Sequence, residues 1–136
     1  MNQQAAIDML RRYYAAWGTG EPDRVAEFFC DDAVFEDLAF EAKFEGLDGV
    51  RTFAAITYGG VPDFKVEPDT IIVDGDRAAT SWVMQGTHSG DLPNLPASGR
   101  SFQVRASSII QLRDDKILQM LDFWNPATFQ KQVGLL

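Results

Sequence analysis

The sequence contains little cysteine, little histidine and few basic residues. Cys30 is the only cysteine among 136 residues, which excludes an internal disulfide and a zinc site built on cysteines. The 12 lysines and arginines are outnumbered by 20 aspartates and glutamates, and the net charge is −8. Binding to nucleic acid depends on clustered basic residues, and an anionic membrane attracts the same kind of cluster. Because no such cluster occurs, we expect neither a nucleic-acid partner nor a membrane partner.

Long apolar runs are also absent. No window approaches the roughly 20 apolar residues of a membrane-spanning helix, and the first residues lack the basic and apolar regions of a signal peptide. We therefore expect a cytoplasmic protein, with residues 1–136 forming one domain. The sequence has no metal-ligand spacing, no glycine-rich phosphate loop and no nucleophile elbow. It therefore predicts neither a metal nor a cofactor.

The first part of the chain has the apolar spacing of helices. A first helix is predicted to stop at Gly18 and Gly20. A second helix is predicted to start at Pro22 and to include Cys30, and a third to start near Leu47. These helices present enough apolar residues on one side to pack against a sheet.

The second part of the chain has the apolar spacing of strands. One strand is predicted earlier, at 33–40, and further strands near 64–67, 70–74, 77–88, 100–113 and 116–124. Residues 89–99 form a longer loop that is predicted to border a pocket, and Asn125 with Pro126 starts a short last helix. This order predicts an α+β fold in which a curved antiparallel sheet wraps around the helices and leaves a cavity at its open end.

Asp122 is the strongest candidate for a functional residue. It is the one acid in the largely apolar run Ile117–Trp124, which has the pattern of a strand. An unpaired buried charge is costly, and burial raises the pKa of a carboxyl toward the range that is useful for proton transfer near neutral pH. We therefore predict that Asp122 serves chemistry or specific binding.

Asp37 is the second carboxylate of interest. It shares a face with Phe35 in the predicted strand. If Asp37 and Asp122 both pointed into one apolar cavity, their repulsion would raise one pKa and leave one acid and one base. The alternative for Asp37 is a strand-end position in an acidic surface cluster with Asp31, Asp32 and Glu36.

The element order resembles the nuclear transport factor 2-like superfamily, whose cone-shaped α+β barrel is of the cystatin-like type. The stretch from Tyr13 to Asp37 is similar to the start of the ketosteroid isomerases. In that family the matching tyrosine donates to an oxyanion and the matching aspartate shuttles the proton. The resemblance implies these roles for Tyr13 and Asp37. The family's second oxyanion donor, a protonated aspartate, would fall near Ser108, so this sequence lacks it.

The second half of the chain resembles the SnoaL-like polyketide cyclases. The segments Gly86–Gly90 and Pro96–Phe102 resemble their glycine/histidine and proline-glycine-arginine segments, and Lys116–Asn125 resembles their closing strand. In the cyclases an aspartate on that strand is the general acid/base, and Asp122 occupies its position. The histidine that precedes this aspartate by two residues in the cyclases is Met120 here.

These patterns together predict a small enzyme of the isomerase, cyclase or lyase type. It would perform cofactor-independent acid/base chemistry on a hydrophobic carbonyl compound that is polyketide-like or steroid-like. The predicted catalytic residues are Asp122, Asp37 and Tyr13. The predicted substrate-binding residues are Tyr14, Trp17, Trp82, His88, Ser108, Met120 and Trp124. The alternative function is a non-catalytic domain that binds a small apolar ligand, and the resemblance also implies a homodimer.

Overall fold

The computed structural model describes residues 1–136 and contains four α-helices and six strands. The helices are α1 (Gln3–Ala16), α2 (Pro22–Ala26), α3 (Gly46–Gly60) and α4 (Pro126–Gln132). The strands are β1 (Phe29–Asp37), β2 (Ala42–Glu45), β3 (Lys65–Asp74), β4 (Arg77–Thr87), β5 (Ser101–Arg113) and β6 (Lys116–Trp124). None of the helices has the length and apolar character needed to cross a membrane.

All six strands form one curved sheet in the order β2-β1-β6-β5-β4-β3. The predicted α+β class is confirmed, and two details differ from the prediction. The sheet is not closed, because β2 and β3 are its two edges. It is also not wholly antiparallel, because β1 and β6 run parallel. Most of the chain lies between these two strands, and such a long connection permits parallel pairing.

Helix α1 places two adjacent tyrosines in the core. The Asn2 side chain caps its start by accepting a 2.7 Å hydrogen bond from the Ala5 amide. Its buried positions follow the helical period and include Leu10, Tyr13 and Tyr14. Helix α1 packs against β3, while α3 packs against β1 and β2, so the helices cover one face of the sheet.

The segment after α2 differs from its prediction. Helix α2 has only five residues, and β1 begins at Phe29, so Cys30 lies in a strand. The inward positions of β1 then include Ala33, Phe35 and Asp37, which are buried, and these alternate with exposed or half-buried positions. The helical spacing of α2 continues for a few residues past its end, but every second residue from Ala33 is buried. This alternation favours a strand over a longer helix.

Two further differences concern the strands. The short strand β2 (Ala42–Glu45) was not predicted, although it pairs with the end of β1. The segments predicted at 64–67 and 70–74 form the single strand β3, whose register shifts between Pro68 and Thr70. Proline cannot donate to a strand ladder and is tolerated at an edge strand or a bulge, so it marks an irregularity here and not a strand end.

Candidate active site

A cavity of about 330 Å³ lies between the helices and the inner face of the sheet. It falls in the range of roughly 300–1,000 Å³ that is typical of small-molecule sites. Of the 22 residues that line it, 17 are hydrophobic. Its only carboxyl side chains are Asp37 and Asp122, and no lysine, arginine or histidine faces it. The cavity is therefore apolar with two acids in its wall.

Asp122 projects from β6 into this cavity and is only 7% exposed. Its Oδ1 accepts a 2.6 Å hydrogen bond from the Ser108 hydroxyl. Its Oδ2 makes no hydrogen bond, and His88 Nε2 is the only fully buried side-chain polar atom without a partner, so Oδ2 is open to the cavity. The pKa of Asp122 is raised to about 8 in total: burial raises it most, the Ser108 hydroxyl opposes the shift, and the charge of Asp37 adds to it.

Asp37 projects into the same cavity from the neighbouring strand β1 and is 3% exposed. It is therefore not part of an acidic surface cluster. Its Oδ1 accepts hydrogen bonds from the Ala39 amide at 3.0 Å, the Phe40 amide at 3.3 Å and the Trp124 indole at 3.1 Å. Burial raises the pKa of Asp37, and these three donors oppose the shift. Because the donors stabilise a carboxylate, Asp37 carries the charge of the pair and Asp122 holds the proton.

Tyr13 lines the cavity, and its hydroxyl donates no hydrogen bond to another protein group. Burial raises the pKa of Tyr13 well above its ordinary value, and the charge of Asp122 adds to the shift. The Trp17 indole, which can only donate a hydrogen bond, opposes the shift. The Tyr13 hydroxyl thus stays protonated and has a donor to offer to a bound oxygen.

Tyr14 has a different environment, although it adjoins Tyr13 in α1 and also lines the cavity. Its hydroxyl lies 2.6 Å from the Thr80 Oγ1 and 3.3 Å from the Ser108 Oγ. The Trp82 indole donates to the same Ser108 oxygen at 2.9 Å. A chain of buried hydroxyls therefore leads from Thr80 to Asp122, and sequence reasoning did not identify Thr80 as a member.

A family model described as SnoaL-like polyketide cyclase matches residues 7–133. The chain belongs to this family. A curated relative, the aklanonic acid methyl ester cyclase DauD of Streptomyces sp. (strain C5), is 30% identical over 132 residues that cover 94% of this chain and 81% of that protein. The aklanonic acid methyl ester cyclase DnrD of Streptomyces peucetius is also 30% identical over 132 residues, which cover 94% of this chain and 90% of that protein.

Solved structures add support for the fold of this SnoaL-like protein. A Catenulispora acidiphila protein described as having a ketosteroid isomerase-like fold superimposes with a TM-score of 0.84, at 20% identity, over 95% of this chain and 94% of that chain. This likeness concerns the fold alone. The family membership confirms the predicted resemblance to SnoaL-like cyclases, and it confirms an enzyme of the cyclase or isomerase type.

The structure brings together seven of the ten predicted site residues in this SnoaL-like fold. Those that line the cavity are Tyr13, Tyr14, Trp17, Asp37, Trp82, Asp122 and Trp124. Ser108 and Met120 are not among the residues that line it. Ser108 lies behind Asp122 at hydrogen-bonding distance, and Met120 is part of the hydrophobic core. These two placements give no support to a direct contact with a substrate.

His88 also lies outside the cavity and is 0% exposed. Its Nδ1 is 3.1 Å from the Ser98 Oγ, and its ring packs against Phe129 at 5.6 Å. Its backbone fixes both ends of the following loop, because its amide donates to the Arg100 carbonyl and its carbonyl accepts from the Ser98 amide. This placement fits a structural role at the base of the loop and no contact with a bound molecule.

Sequence reasoning missed part of the cavity wall. Phe40 and Phe44 come from the turn and strand next to Asp37, and Phe53 comes from α3. Leu92 and Asn94 come from the loop between β4 and β5, which was predicted to border a pocket. The apolar spacing of α3 could have indicated Phe53, whereas β2 is too short to give a pattern.

Proposed function

We propose that this protein closes a ring within a hydrophobic, polyketide-like carbonyl compound, with Asp122 as general acid/base and without a cofactor. The observation that carries the proposal is the position of Asp122, whose Oδ1 is held by Ser108 while Oδ2 is open to an apolar cavity. The two curated relatives are named for the cyclisation of aklanonic acid methyl ester. Their names and the family description together support a polyketide ester as the substrate class.

The proposed reaction is an intramolecular aldol-type addition. The Asp122 carboxylate removes a proton from the carbon next to one carbonyl, so that a C–H bond breaks and an enolate forms. The enolate carbon attacks the carbon of a second carbonyl in the same molecule, and a C–C bond forms while that carbonyl oxygen becomes an alkoxide. Asp122 then returns its proton to the alkoxide. The product has the same atoms as the substrate, and no oxidant or reductant is required.

The pKa of Asp122 suits a group that must both take and return this proton. With a pKa of about 8, about a tenth of the groups are ionised at pH 7, and the carboxylate that forms is a stronger base than an exposed one. General acid/base catalysis contributes roughly 10²–10⁴-fold. Stabilisation of the enolate must contribute much of the remainder, and we assign it to the Tyr13 hydroxyl.

Asp37 has a supporting role in this proposal. Its carboxylate is occupied by the Trp124 indole and the Ala39 and Phe40 amides, so it is poorly placed to take a substrate proton. Its charge instead raises the pKa of Asp122. We therefore assign Asp37 to tuning the acid/base residue, and the aromatic wall, which includes Trp17, to binding the flat rings of the substrate.

The test of the proposal is turnover of aklanonic acid methyl ester, followed by chromatography of the product. We expect wild-type protein to convert it and Asp122→Asn to lose roughly 10²–10⁴-fold in kcat. Asn preserves the shape of the side chain and the acceptor for Ser108, so the fold should remain.

The matched control is Asp74→Asn at an exposed position next to a turn; it should keep full activity. Full activity of Asp122→Asn would contradict the assignment, and tight binding without turnover in wild type would favour the non-catalytic alternative.

We also propose a homodimer that forms through the outer face of the sheet. Large apolar side chains are exposed there on three strands, with Ile72 at 60%, Ile109 at 42% and Phe123 at 41%. Ile72 and Ile109 both pair with Ala79 of the strand between them, so they form a continuous row. Such a patch is typical of an interface. Sedimentation at micromolar concentration should give the mass of a dimer, and a monomer mass would contradict the proposal.

A further inference from the structure

Three polar partners converge on the buried hydroxyl of Ser108. The Trp82 indole lies at 2.9 Å, the Tyr14 hydroxyl at 3.3 Å and the Asp122 Oδ1 at 2.6 Å. A serine hydroxyl has one proton to donate and two lone pairs to accept with. The three partners therefore use the full hydrogen-bonding capacity of the Ser108 hydroxyl, which cannot take a fourth partner.

The chemistry of these partners fixes the direction of every bond when Asp122 is ionised. An indole N–H only donates and a carboxylate only accepts, so Ser108 accepts from Trp82 and donates to Asp122. Its second lone pair then accepts from Tyr14. Since the Tyr14 proton points to Ser108, the 2.6 Å contact with Thr80 must have Thr80 as the donor. One arrangement satisfies all four groups.

The two oxygens of Asp122 consequently differ as proton acceptors. A proton on Oδ2 leaves the hydroxyl chain unchanged. A proton on Oδ1 would have to donate to Ser108, and Ser108, Tyr14 and Thr80 would then all have to reverse their hydrogen bonds. Only Oδ2 can exchange a proton with a molecule in the cavity without this rearrangement.

The chain of polar groups is built into the register of the sheet. Thr80 on β4 is the direct partner of Ser108 on β5, and Ser108 is the direct partner of Asp122 on β6. All three are buried, whereas the adjacent inward row consists of the apolar residues Ala78, Ile110 and Met120. The buried polar row therefore runs from Thr80 through Ser108 to Asp122 and continues across the sheet to Asp37 on β1.

We propose that Ser108 is a positioning residue that holds Oδ1 of Asp122 and so dedicates Oδ2 to the substrate proton, while Tyr14 and Thr80 fix the direction of the Ser108 hydroxyl. This inference rests on the proposed function, and it adds the residues that orient the acid/base group. Ser108 itself does not contact the substrate, because it does not line the cavity.

The test compares Ser108→Ala with Ser107→Ala, a neighbour on the exposed outer face of the same strand. The ¹³C resonance of the Asp122 carboxyl is titrated by NMR without substrate. Removal of a donor to the carboxylate disfavours ionisation, so the midpoint should move upward by about one pH unit in Ser108→Ala. Ser107→Ala should leave it unchanged. The other titratable groups that face Asp122 are Asp37, Tyr13 and Tyr14, and none of the variants removes them.

The same shift should appear in turnover. The midpoint of the kcat/KM profile of Ser108→Ala should move upward by the same amount as the NMR midpoint. At pH 7 the variant should then have a kcat/KM about 10-fold below that of wild type, and above pH 10 the two values should be equal. A general loss of packing would instead lower the rate at every pH. An unmoved midpoint in Ser108→Ala would overturn the proposal.

Thr80→Val provides a second test if Ser108→Ala does not fold. Valine keeps the shape of threonine and removes only the first donor of the chain, so we expect a smaller upward shift of about half a unit, and Thr80→Ser should restore the wild-type midpoint. No shift in Thr80→Val would show that the chain does not fix the direction of Ser108. Because the NMR titration needs no substrate, a wild-type protein without turnover would contradict the proposed function and leave the test of Ser108 intact.

Discussion

Asp37 and Asp122 are direct partners in the register of β1 and β6, the only parallel strand pair of the sheet. Both side chains point inward, so the parallel pairing places two carboxylates next to each other in one apolar cavity. Only Asp37 receives backbone and indole donors. The two acids therefore differ in proton affinity, and Asp122 becomes the group that can exchange a proton near neutral pH.

The stability of the protein should depend on the proton of Asp122. Burial raises the pKa of Asp122 in the folded state to about 8, whereas an unfolded aspartate has a pKa of about 3.9. The folded state binds the proton more tightly, so this contribution to stability is fully present below about pH 4 and is lost as the pH rises through about 8. Asp122→Asn should remove the dependence and be more stable than wild type by roughly 2–5 kcal/mol at pH 9.

Urea denaturation of both proteins at pH 5 and pH 9 checks this prediction. The advantage of Asp122→Asn in free energy of unfolding should be several kcal/mol larger at pH 9 than at pH 5, because most of the contribution of the Asp122 proton is lost between these two pH values. The effects of titrating groups remote from Asp122 cancel in the comparison. A constant difference between the proteins at both values would show that Asp122 is not protonated by burial.

Asp37→Asn should move the midpoint of the kcat/KM profile downward, whereas Ser108→Ala should move it upward. Asp37→Asn removes a negative charge that raises the pKa of Asp122, so the midpoint of the kcat/KM profile should fall by about one pH unit. Glu36→Gln is the matched control, since Glu36 adjoins Asp37 in β1 but points to the opposite face. A profile of Asp37→Asn that coincides with the control would refute the electrostatic coupling of the two acids.

Replacement of Tyr13 should mainly lower activity, whereas replacement of the adjacent Tyr14 should mainly lower stability. The Tyr13 hydroxyl donates no hydrogen bond within the protein, so Tyr13→Phe should lower kcat by roughly 10–10³-fold with little change in stability. Tyr14→Phe removes bonds to Thr80 and Ser108 and should reduce the free energy of unfolding by about 1–3 kcal/mol. Turnover and urea denaturation of both variants separate the two roles. Equal effects of the two variants on kcat and on stability would contradict the assignment.

The loop between β4 and β5 should control access to the cavity through a close backbone contact. A Cβ added at Gly90 would lie 2.0 Å from the Gly59 carbonyl oxygen, whereas a Cβ at Gly59 meets nothing within 4 Å. Gly90→Ala should push the loop and its cavity residue Leu92 away from α3. We expect about 10-fold weaker binding of aklanonic acid methyl ester, measured by tryptophan fluorescence, and no loss in the matched variant Gly59→Ala. Unchanged binding by Gly90→Ala would show that the loop does not hold the ligand.

The sequence was sufficient to predict the class of the fold and to select Asp37 and Asp122 as the two acids of interest. The alternation in β1 placed Phe35 and Asp37 on one face, and the isolated acid in β6 indicated Asp122. The parallel pairing of these strands could not be predicted, because a strand pattern records which face is buried but not which strand is the neighbour. The role of Ser108 as a second layer behind Asp122 depends on the same long-range register.

His88 shows a different limit of sequence reasoning. Its place before a loop rich in glycine and proline suggested the mouth of a pocket. In the structure its backbone bonds to Arg100 and Ser98 draw it into the interior. A single histidine carries no periodic signal, so its burial depends on contacts that only the folded chain provides.

The most direct test of the account is the titration of Asp122 itself. The carboxyl ¹³C resonances of the aspartates can be followed by NMR from pH 3 to pH 10, with Asp122→Asn to assign the signal. Burial in the cavity and the charge of Asp37 predict a midpoint of about 8. A midpoint near 4, as in an exposed aspartate, would contradict the assignment of Asp122 as the acid/base group.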